Sequence, residues 1–171
     1  MNIFYGGAIQ GARNREERAG TNRALIGAIK AGGFEVCTEH TTSKSLEEAR
    51  RVLAEKVGPI PVEGAERRAF IRDKMLEFVE GDIGAAIFEV SVPSLGTGIE
   101  IAHAYLRPRL GLKEIPVLAL YEKGFWPNKL STMIRGIGRK KVPCFSLKEY
   151  SSLEEAKGII KEFLGRIKTL L

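Results

Sequence analysis

Five short apolar runs alternate with helical patterns along the whole chain, and this alternation limits the fold more than any other feature. The runs cover residues 2–6, 34–37, 83–90, 116–121 and 142–146. Strands separated by helices are typical of an α/β fold, a parallel sheet with helices on both faces joined by right-handed crossovers. Five strands favour the doubly wound order 2-1-3-4-5. A chain of 171 residues is most simply one domain, residues 1–171.

Periodic apolar residues and helix-end signals mark the helices between these strands. Ser45 with Glu48, and Ser152 with Glu155, form capping boxes. The predicted helices cover residues 15–31, 46–57, 66–79, 96–106 and 130–136, and a last one begins at Ser152.

The loops after strands 1 and 3 are the predicted ligand site. In a doubly wound sheet, ligands bind at the carboxyl ends of the strands, where the strand order reverses. The two loops there, residues 6–13 and 91–98, are rich in glycine. The segment EVSVPSLGTGIE, residues 89–100, joins strand 3 to a helix and places Glu100 in its first turn. Free N–H groups at such a helix start bind anions, which predicts chemistry on a phosphorylated small molecule.

The first glycine-rich loop, GGAIQG at residues 6–11, lacks two common nucleotide-binding patterns. It does not read GxGxxG, and no Gly-Lys-Ser/Thr follows it. A redox dinucleotide and a nucleoside triphosphate are therefore disfavoured, and no cofactor is expected. Tight chain reversal is an equally simple role for this loop.

The composition narrows the classes of partner. A net charge of +6 permits nucleic-acid binding without establishing it. The basic run at residues 139–141 is read first as a solvated patch and second as a surface that steers a small anion. Nucleic acid ranks third, because no aromatic residues interleave with the basic ones. Two cysteines, no basic leader and no long apolar run predict a protein of the reducing cytoplasm without a membrane span.

Four titratable side chains are candidates for the cleft. Glu100 either complements the helix dipole or does chemistry, and Glu89, inside an apolar strand, binds a ligand or a backbone group. Asp73 belongs to a charged helix face or to the site, and His40 to a polar loop or to the cleft. Glu100 and His103 are three residues apart, but a metal site needs further ligands, so no metal is expected.

Four segments, in order, resemble the Rcl-type 2'-deoxynucleoside 5'-monophosphate N-glycosidases of the nucleoside 2-deoxyribosyltransferase superfamily. They read IFYGGAIQGAR at 3–13, VCTEH at 36–40, EVSVPSLGTGIE at 89–100 and LSTMIRG at 130–136. The resemblance covers most of the chain. It implies a flavodoxin-like fold, a homodimer, and cleavage of deoxynucleoside monophosphates to free base and deoxyribose 5-phosphate.

The resemblance also implies roles for single residues. The family's nucleophilic glutamate falls on Glu100, its aspartate at the base on Asp73, and a serine of its phosphate site on Ser94. A second phosphate serine, donated by the neighbouring subunit, falls on Ser131. The other substrate-binding positions are Gly7, Ala8, Ile9, Gln10, Gly11, His40, Glu89, Gly96, Gly98 and Met133.

Three positions depart from the family pattern. Ala8 stands where the first loop has a phosphate-binding serine, Gln10 replaces a basic residue, and Phe4 replaces a tyrosine. The helix that carries Asp73 is also longer before strand 3. The loss of the serine at position 8 strengthens the alternative of an unphosphorylated substrate.

The leading hypothesis is hydrolysis through a covalent glycosyl-Glu100 intermediate with Asp73 as the acid. The closest alternative is a nucleoside 2-deoxyribosyltransferase that exchanges bases. GTxxE at residues 96–100 also resembles the "lysine decarboxylase-like" phosphoribohydrolases, without the double glycine that precedes it there. A non-catalytic nucleotide- or nucleic-acid-binding protein is the remaining class. For the dimer, Phe125 and Trp126, which come shortly before Ser131, are the predicted interface anchors.

Overall fold

The computed structural model describes residues 1–8, 15–125, 129–137 and 142–170. The strands are β1 (Asn2–Gly7), β2 (Glu35–Val36), β3 (Ala85–Glu89), β4 (Val117–Glu122) and β5 (Phe145–Tyr150). The helices are α1 (Arg15–Ala31), α2 (Leu46–Val57), α3 (Gly64–Glu80), α4 (Leu95–Tyr105), α5 (Thr132–Arg135) and α6 (Leu153–Leu170). Two short 3₁₀ helices cover Glu39–Thr42 and Arg107–Leu110.

The five strands form a parallel sheet in the order β2-β1-β3-β4-β5. This α/β topology is flavodoxin-like and confirms the predicted fold class. The order reverses between β1 and β3, where Gly6 lies opposite Phe88 and Gly7 opposite Glu89. The carboxyl ends of these two strands therefore meet at the predicted ligand edge.

Each face of the sheet has its own hydrophobic core because successive strand residues point to opposite sides. On one side, Ile3, Tyr5 and Ile87 pack with apolar residues of α1 and α6. On the other, Phe4 and Phe88 pack with residues of α3 and α4. The near-continuous apolar sequence of β3 is thus explained by burial on both faces.

The fifth strand is where the sequence prediction was wrong. It covers Phe145–Tyr150 instead of residues 142–146. Pro143 lies in the turn that precedes the strand, and proline cannot donate a ladder hydrogen bond. As an edge strand, β5 exposes Lys148 and Glu149. Its sequence is therefore too polar to form an apolar run. The other predicted boundaries differ from the observed ones by at most two residues.

Both predicted helix caps form. The Ser45 hydroxyl accepts a hydrogen bond from the N–H of Glu48 at 3.1 Å, and the Ser152 hydroxyl accepts one from Glu155 at 3.2 Å. Each glutamate reaches back to the N–H of the residue before its serine, at 2.8 and 2.7 Å. Along the described residues, no helix combines the length and the apolarity that crossing a bilayer requires.

Candidate active site

The turn between β3 and α4 presents a helix N-terminus at the reversal of strand order. Ser94 is the N-cap, in an extended conformation, and its hydroxyl accepts a hydrogen bond from the N–H of Thr97 at 3.3 Å. The first intrahelical bond runs from the N–H of Gly98 to the carbonyl of Ser94, at 3.0 Å. The N–H groups of Leu95 and Gly96 thus precede the helical ladder and are free to bind an anion.

Glu100 extends from α4 to the carboxyl end of β1. A Cβ atom added to Gly6 would lie 3.1 Å from Oε2 of Glu100 and 2.5 Å from the ring of Phe88. The carboxyl group therefore lies directly over Gly6 beside an aromatic wall, and only glycine leaves room for it there.

The surroundings of Glu100 favour its neutral form. Burial raises the pKa of its carboxyl to about 8, and no other cause contributes to the shift. Among the described residues no donor gives this carboxyl a hydrogen bond. The Glu100 side chain is half-buried. A carboxyl whose surroundings raise its pKa, and to which no described residue donates, is a mark of functional sites.

Asp73 occupies a more exposed position. It lies on α3 with about half of its side chain exposed (51%), and its Oδ1 is 2.6 Å from Nη2 of Arg72. The Nε–H of Arg72 also donates to Oδ1 at 2.9 Å. The ion-pair partner of Asp73 is thus its sequence neighbour, and its charge makes no contribution to the raised pKa of Glu100.

Only part of the first glycine-rich loop can be described. A Cβ at Gly7 would lie 3.0 Å from Oδ1 of Asn22, so α1 closely approaches the strand end. Ala8 is buried and offers no hydroxyl group. The predicted binding positions Ile9, Gln10 and Gly11 lie outside the described residues.

His40 lies in the 3₁₀ helix that follows β2 and is 8% exposed. Burial, with a smaller contribution from the charge of Lys56, lowers the pKa of His40 to about 4. The imidazole is therefore neutral at physiological pH, and any contact it makes with a ligand is one of a neutral donor or acceptor.

Glu89 is 1% exposed and its partners belong to the protein. Its Oε1 accepts hydrogen bonds from the N–H of Ser91 at 3.2 Å, from the Ser91 hydroxyl, and from the hydroxyl of Tyr150 at 3.0 Å. Its Oε2 faces Nη1 of Arg18 at 3.9 Å. Burial raises the pKa of Glu89, and the bonds from Ser91 together with the charge of Arg18 act against that shift.

An apolar cavity of about 530 Å³ lies between α4 and α5, and Glu100 is not one of its lining residues. Ser94, Gly98, Ser131 and Met133 line it, so the two serines predicted for phosphate border one cavity. Ser131 caps α5 by accepting a hydrogen bond from the N–H of Met133 at 3.2 Å. Further lining residues are apolar, among them Leu95, Ile99, Ile101, Tyr105, Leu130 and Ile134.

Two other predictions concern metals and the loop before Ser131. His103 Nδ1 is 2.5 Å from Oε1 of Glu80, so it pairs with α3 and not with Glu100. Within the described residues, no group of three or more His, Cys, Asp or Glu side chains is arranged to hold a metal. Phe125 lies under the guanidinium of Arg18, 4.8 Å from ring centre to Cζ. Trp126 and the basic run at 139–141 lie outside the described residues.

Comparison with known proteins decides the family. A protein of Thermofilum pendens named "putative 2'-deoxynucleoside 5'-phosphate N-hydrolase 1" is 34% identical over 157 residues, which are 91% of this chain and 90% of that protein. Proteins of the same name from Methanosarcina barkeri and Methanosarcina mazei are 30% identical over 162 residues, 95% of this chain and 84% and 83% of theirs. The chain belongs to this N-hydrolase family. No protein-family model matches it.

Membership of the N-hydrolase family agrees with the resemblance drawn from the four motifs. Ser91 lies inside the third motif, but no role was predicted for it. The buried residues that lie outside the motifs are Arg18, Asn22 and Tyr150. Arg18 looked like one charge among several at the start of α1, and Tyr150 lay beyond the predicted end of β5. Their contacts join distant parts of the chain, so no local pattern could have found them.

Proposed function

We propose that this protein hydrolyses the N-glycosidic bond of 2'-deoxynucleoside 5'-monophosphates to free base and deoxyribose 5-phosphate. The observation that carries the proposal is the half-buried carboxyl group of Glu100. It lies over Gly6, receives no hydrogen bond from the described residues, and stands near the capped N-terminus of α4. The names of the relatives point to the same reaction.

In the proposed first step the carboxylate of Glu100 attacks C1' of the sugar. The C1'–N bond breaks, the base leaves with its bonding electrons and a proton from an acid, and a glycosyl ester of Glu100 remains. Water then attacks C1' and gives its proton to the conjugate base of that acid, and the C1'–O bond to Glu100 breaks, which returns the carboxylate and gives deoxyribose 5-phosphate. The transition state resembles an oxocarbenium ion, whose positive charge an adjacent carboxylate stabilises.

The start of α4 is the proposed phosphate site. The N–H groups of Leu95 and Gly96 are available there, and the Ser94 hydroxyl has a proton to donate while its oxygen caps the helix. Binding energy at the phosphate would hold C1' against Glu100, which is useful because it acts on the geometry of the reacting atoms.

Asp73 is the proposed acid for the leaving base. Because its carboxylate is paired with Arg72 and half exposed, it would have to exchange that partner for the base. The variant Asp73→Asn tests this role. Relative to the wild type, it should slow the release of poor leaving groups by a larger factor than that of good ones. An equal factor for all bases would contradict the role.

The deciding experiment is incubation with a panel of ribo- and deoxynucleosides and their monophosphates, followed by chromatography for free base. The protein is then quenched with acid and digested. Mass spectrometry of the peptide that contains Glu100 shows whether deoxyribose 5-phosphate has been added to it. Free base without the adduct would support the reaction and reject the covalent step. No free base from any compound would reject the proposal.

A second candidate, base exchange, is favoured by the buried Ala8, which offers no hydroxyl to a phosphate. In that reaction a second base replaces water at C1'. The same incubation with a deoxynucleoside and a different free base distinguishes the two, because only a transferase forms the exchanged nucleoside.

We also propose a homodimer in which Ser131 of one copy completes the phosphate site of the other. Support comes from the apolar cavity between α4 and α5 and from large apolar side chains exposed beside it: Leu95 at 91%, Ile99 at 51% and Met133 at 79%. A contiguous apolar surface of this kind is typical of an interface.

Mixing two inactive variants tests the shared site. Glu100→Ala and Ser131→Ala proteins, unfolded and refolded together, should regain activity, because a mixed dimer contains one site with neither change. No recovery in a solution shown by sedimentation to contain mixed dimers would place Ser131 in its own subunit's site. A monomeric mass would reject the dimer.

A further inference from the structure

Three strand ends are tied together beneath the turn that leads into α4. Glu89 ends β3, Glu122 ends β4 and Tyr150 ends β5. The Tyr150 hydroxyl donates to Glu89 Oε1 at 3.0 Å, and the N–H of Glu122 donates to the Ser91 hydroxyl oxygen at 2.8 Å. The Ser91 hydroxyl in turn donates to Glu89 Oε1. Ser91 thus joins β3 to β4, and Glu89 joins both to β5.

These bonds fix the first half of the turn with little freedom left. The N–H of Val90 donates to the carbonyl of Leu120 at 2.9 Å, and the N–H of Ser91 donates to Glu89 Oε1 at 3.2 Å. Ser91 is 1% exposed and Val92 is 6% exposed, so both are held inside the protein. Only Pro93 separates this anchored part from Ser94, the cap of α4.

Burying the carboxyl group of Glu89 costs free energy, and this cost has to be offset by its contacts. A buried carboxylate is stable only with hydrogen bonds or an opposite charge, and apolar residues of similar volume often serve stability as well or better. Here Oε1 accepts three hydrogen bonds and Oε2 faces Arg18. Such an acceptor orients its donors in a way that no apolar side chain can.

We propose that Glu89 and Ser91 are positioning residues: their hydrogen bonds to the ends of β4 and β5 set the place of α4, and so of Ser94 and Glu100, against β1. The inference rests on the proposed function for its kinetic consequence. Neither residue touches the reacting atoms. A displacement of α4 by a fraction of an ångström would move the Glu100 carboxyl, which lies over Gly6 and is held by no hydrogen bond from the described residues.

Two single-atom deletions and one control test the proposal. Ser91→Ala removes the bridging hydroxyl, and Tyr150→Phe removes the remote donor while keeping the ring. Ile160→Val in α6 is the control, because it removes a methyl group from the same core cluster as Tyr150 and lowers stability without changing the turn. We expect kcat to fall about tenfold in Ser91→Ala and about threefold in Tyr150→Phe, with KM changed less than twofold.

The conservative variant separates the acceptor from the charge. Glu89→Gln keeps an Oε1 acceptor and should retain kcat within about threefold, whereas Glu89→Met removes the acceptor and should lose tenfold or more. Equal losses in the two variants would overturn the role of Oε1. An unchanged kcat in Ser91→Ala, or a loss in Ile160→Val as large as in Ser91→Ala, would overturn the proposal.

Hydrogen exchange tests the same link without any substrate. The amides of residues 90–97 should exchange faster in Ser91→Ala and Tyr150→Phe than in the wild type and in Ile160→Val. Unchanged exchange in both hydroxyl variants would overturn the proposal. If the wild type releases no base, the proposed function fails and the exchange measurement still decides whether these residues hold the turn.

Discussion

Glu89 and Glu100 are carboxyl groups of one strand-turn-helix segment, and burial raises the pKa of both. Glu89 has three hydrogen bonds to one oxygen and an arginine facing the other. Glu100 lies over Gly6, near the ring of Phe88, and receives no hydrogen bond from the described residues. A fully buried carboxyl with partners, like that of Glu89, belongs to the framework. A half-buried one that no described residue pairs with, like that of Glu100, is available to a ligand.

The largest expected effect separates the two residues by activity. Glu100→Gln should lower base release by about a thousandfold or more, because it removes the proposed nucleophile and keeps the shape of the side chain. Chromatography of free base measures the rate, and thermal unfolding confirms that the variant is folded. Release within tenfold of the wild-type rate would mean that Glu100 is not the reacting group.

Stability against pH should show the cost of the unpartnered carboxyl. Burial raises the pKa of Glu100 to about 8 in the folded protein, whereas its ordinary value in the unfolded chain is 4.5. Since the folded state holds more protons between these values, this group makes the free energy of unfolding fall as pH rises from 4.5 to 8, by on the order of a few kcal/mol. Glu100→Gln should abolish that loss.

The measurement is the free energy of unfolding in urea at several pH values, and the value for the wild type is subtracted from that for Glu100→Gln at each pH. A difference is required because His40, whose pKa is lowered to about 4, contributes the opposite slope between about pH 4 and 6.5. A difference that stays constant from pH 5 to 9 would show that Glu100 is not titrating as a buried group.

The pH dependence of kcat/KM should reflect the same ionisation in the free enzyme. Because the proposed nucleophile, Glu100, must be ionised, kcat/KM should rise about tenfold per pH unit below about pH 8 and level off above it. The expected gain from pH 6 to the plateau is about a hundredfold. Glu89→Gln should leave the midpoint unchanged. A flat profile between pH 6 and 9 would contradict the assignment of Glu100.

The smallest effect concerns the contact that shapes the site. Gly6→Ala would bring a methyl group 2.5 Å from the ring of Phe88 and 3.1 Å from Glu100, at a cost of about 1–3 kcal/mol in stability and a loss of activity. Gly27→Ala is the matched control, since nothing lies within 4 Å of the new methyl group and alanine favours a helix. In thermal unfolding, Tm should be lower for Gly6→Ala and higher for Gly27→Ala than for the wild type.

Much of the fold could be predicted because strand and helix patterns alternate and each carries local end signals. The order of the sheet followed from that alternation, and the caps at Ser45 and Ser152 followed from residue type. β5 was placed wrongly because edge strands need not be apolar. Its true end matters here, since Tyr150 is the residue that reaches Glu89.

The site was predictable only where one short segment contains it. Ser94 and Glu100 lie on one turn and helix, so the sequence shows their relation. The partners of Glu89 come from α1, the β3–α4 turn and the end of β5, and such contacts depend on the folded sheet. The pairing of Asp73 with Arg72 is local, but whether a side chain turns toward solvent is decided by helix packing.

Phe88 and Glu89 are consecutive residues of β3 that point to opposite faces of the sheet, one packing with Phe4 and the other bonded to Tyr150. Inserting or deleting a single residue in β3 would exchange the two faces. The aromatic side chain near Glu100 and the anchor of the turn would then be lost together. The length of β3 is therefore as constrained as the identity of any residue in it.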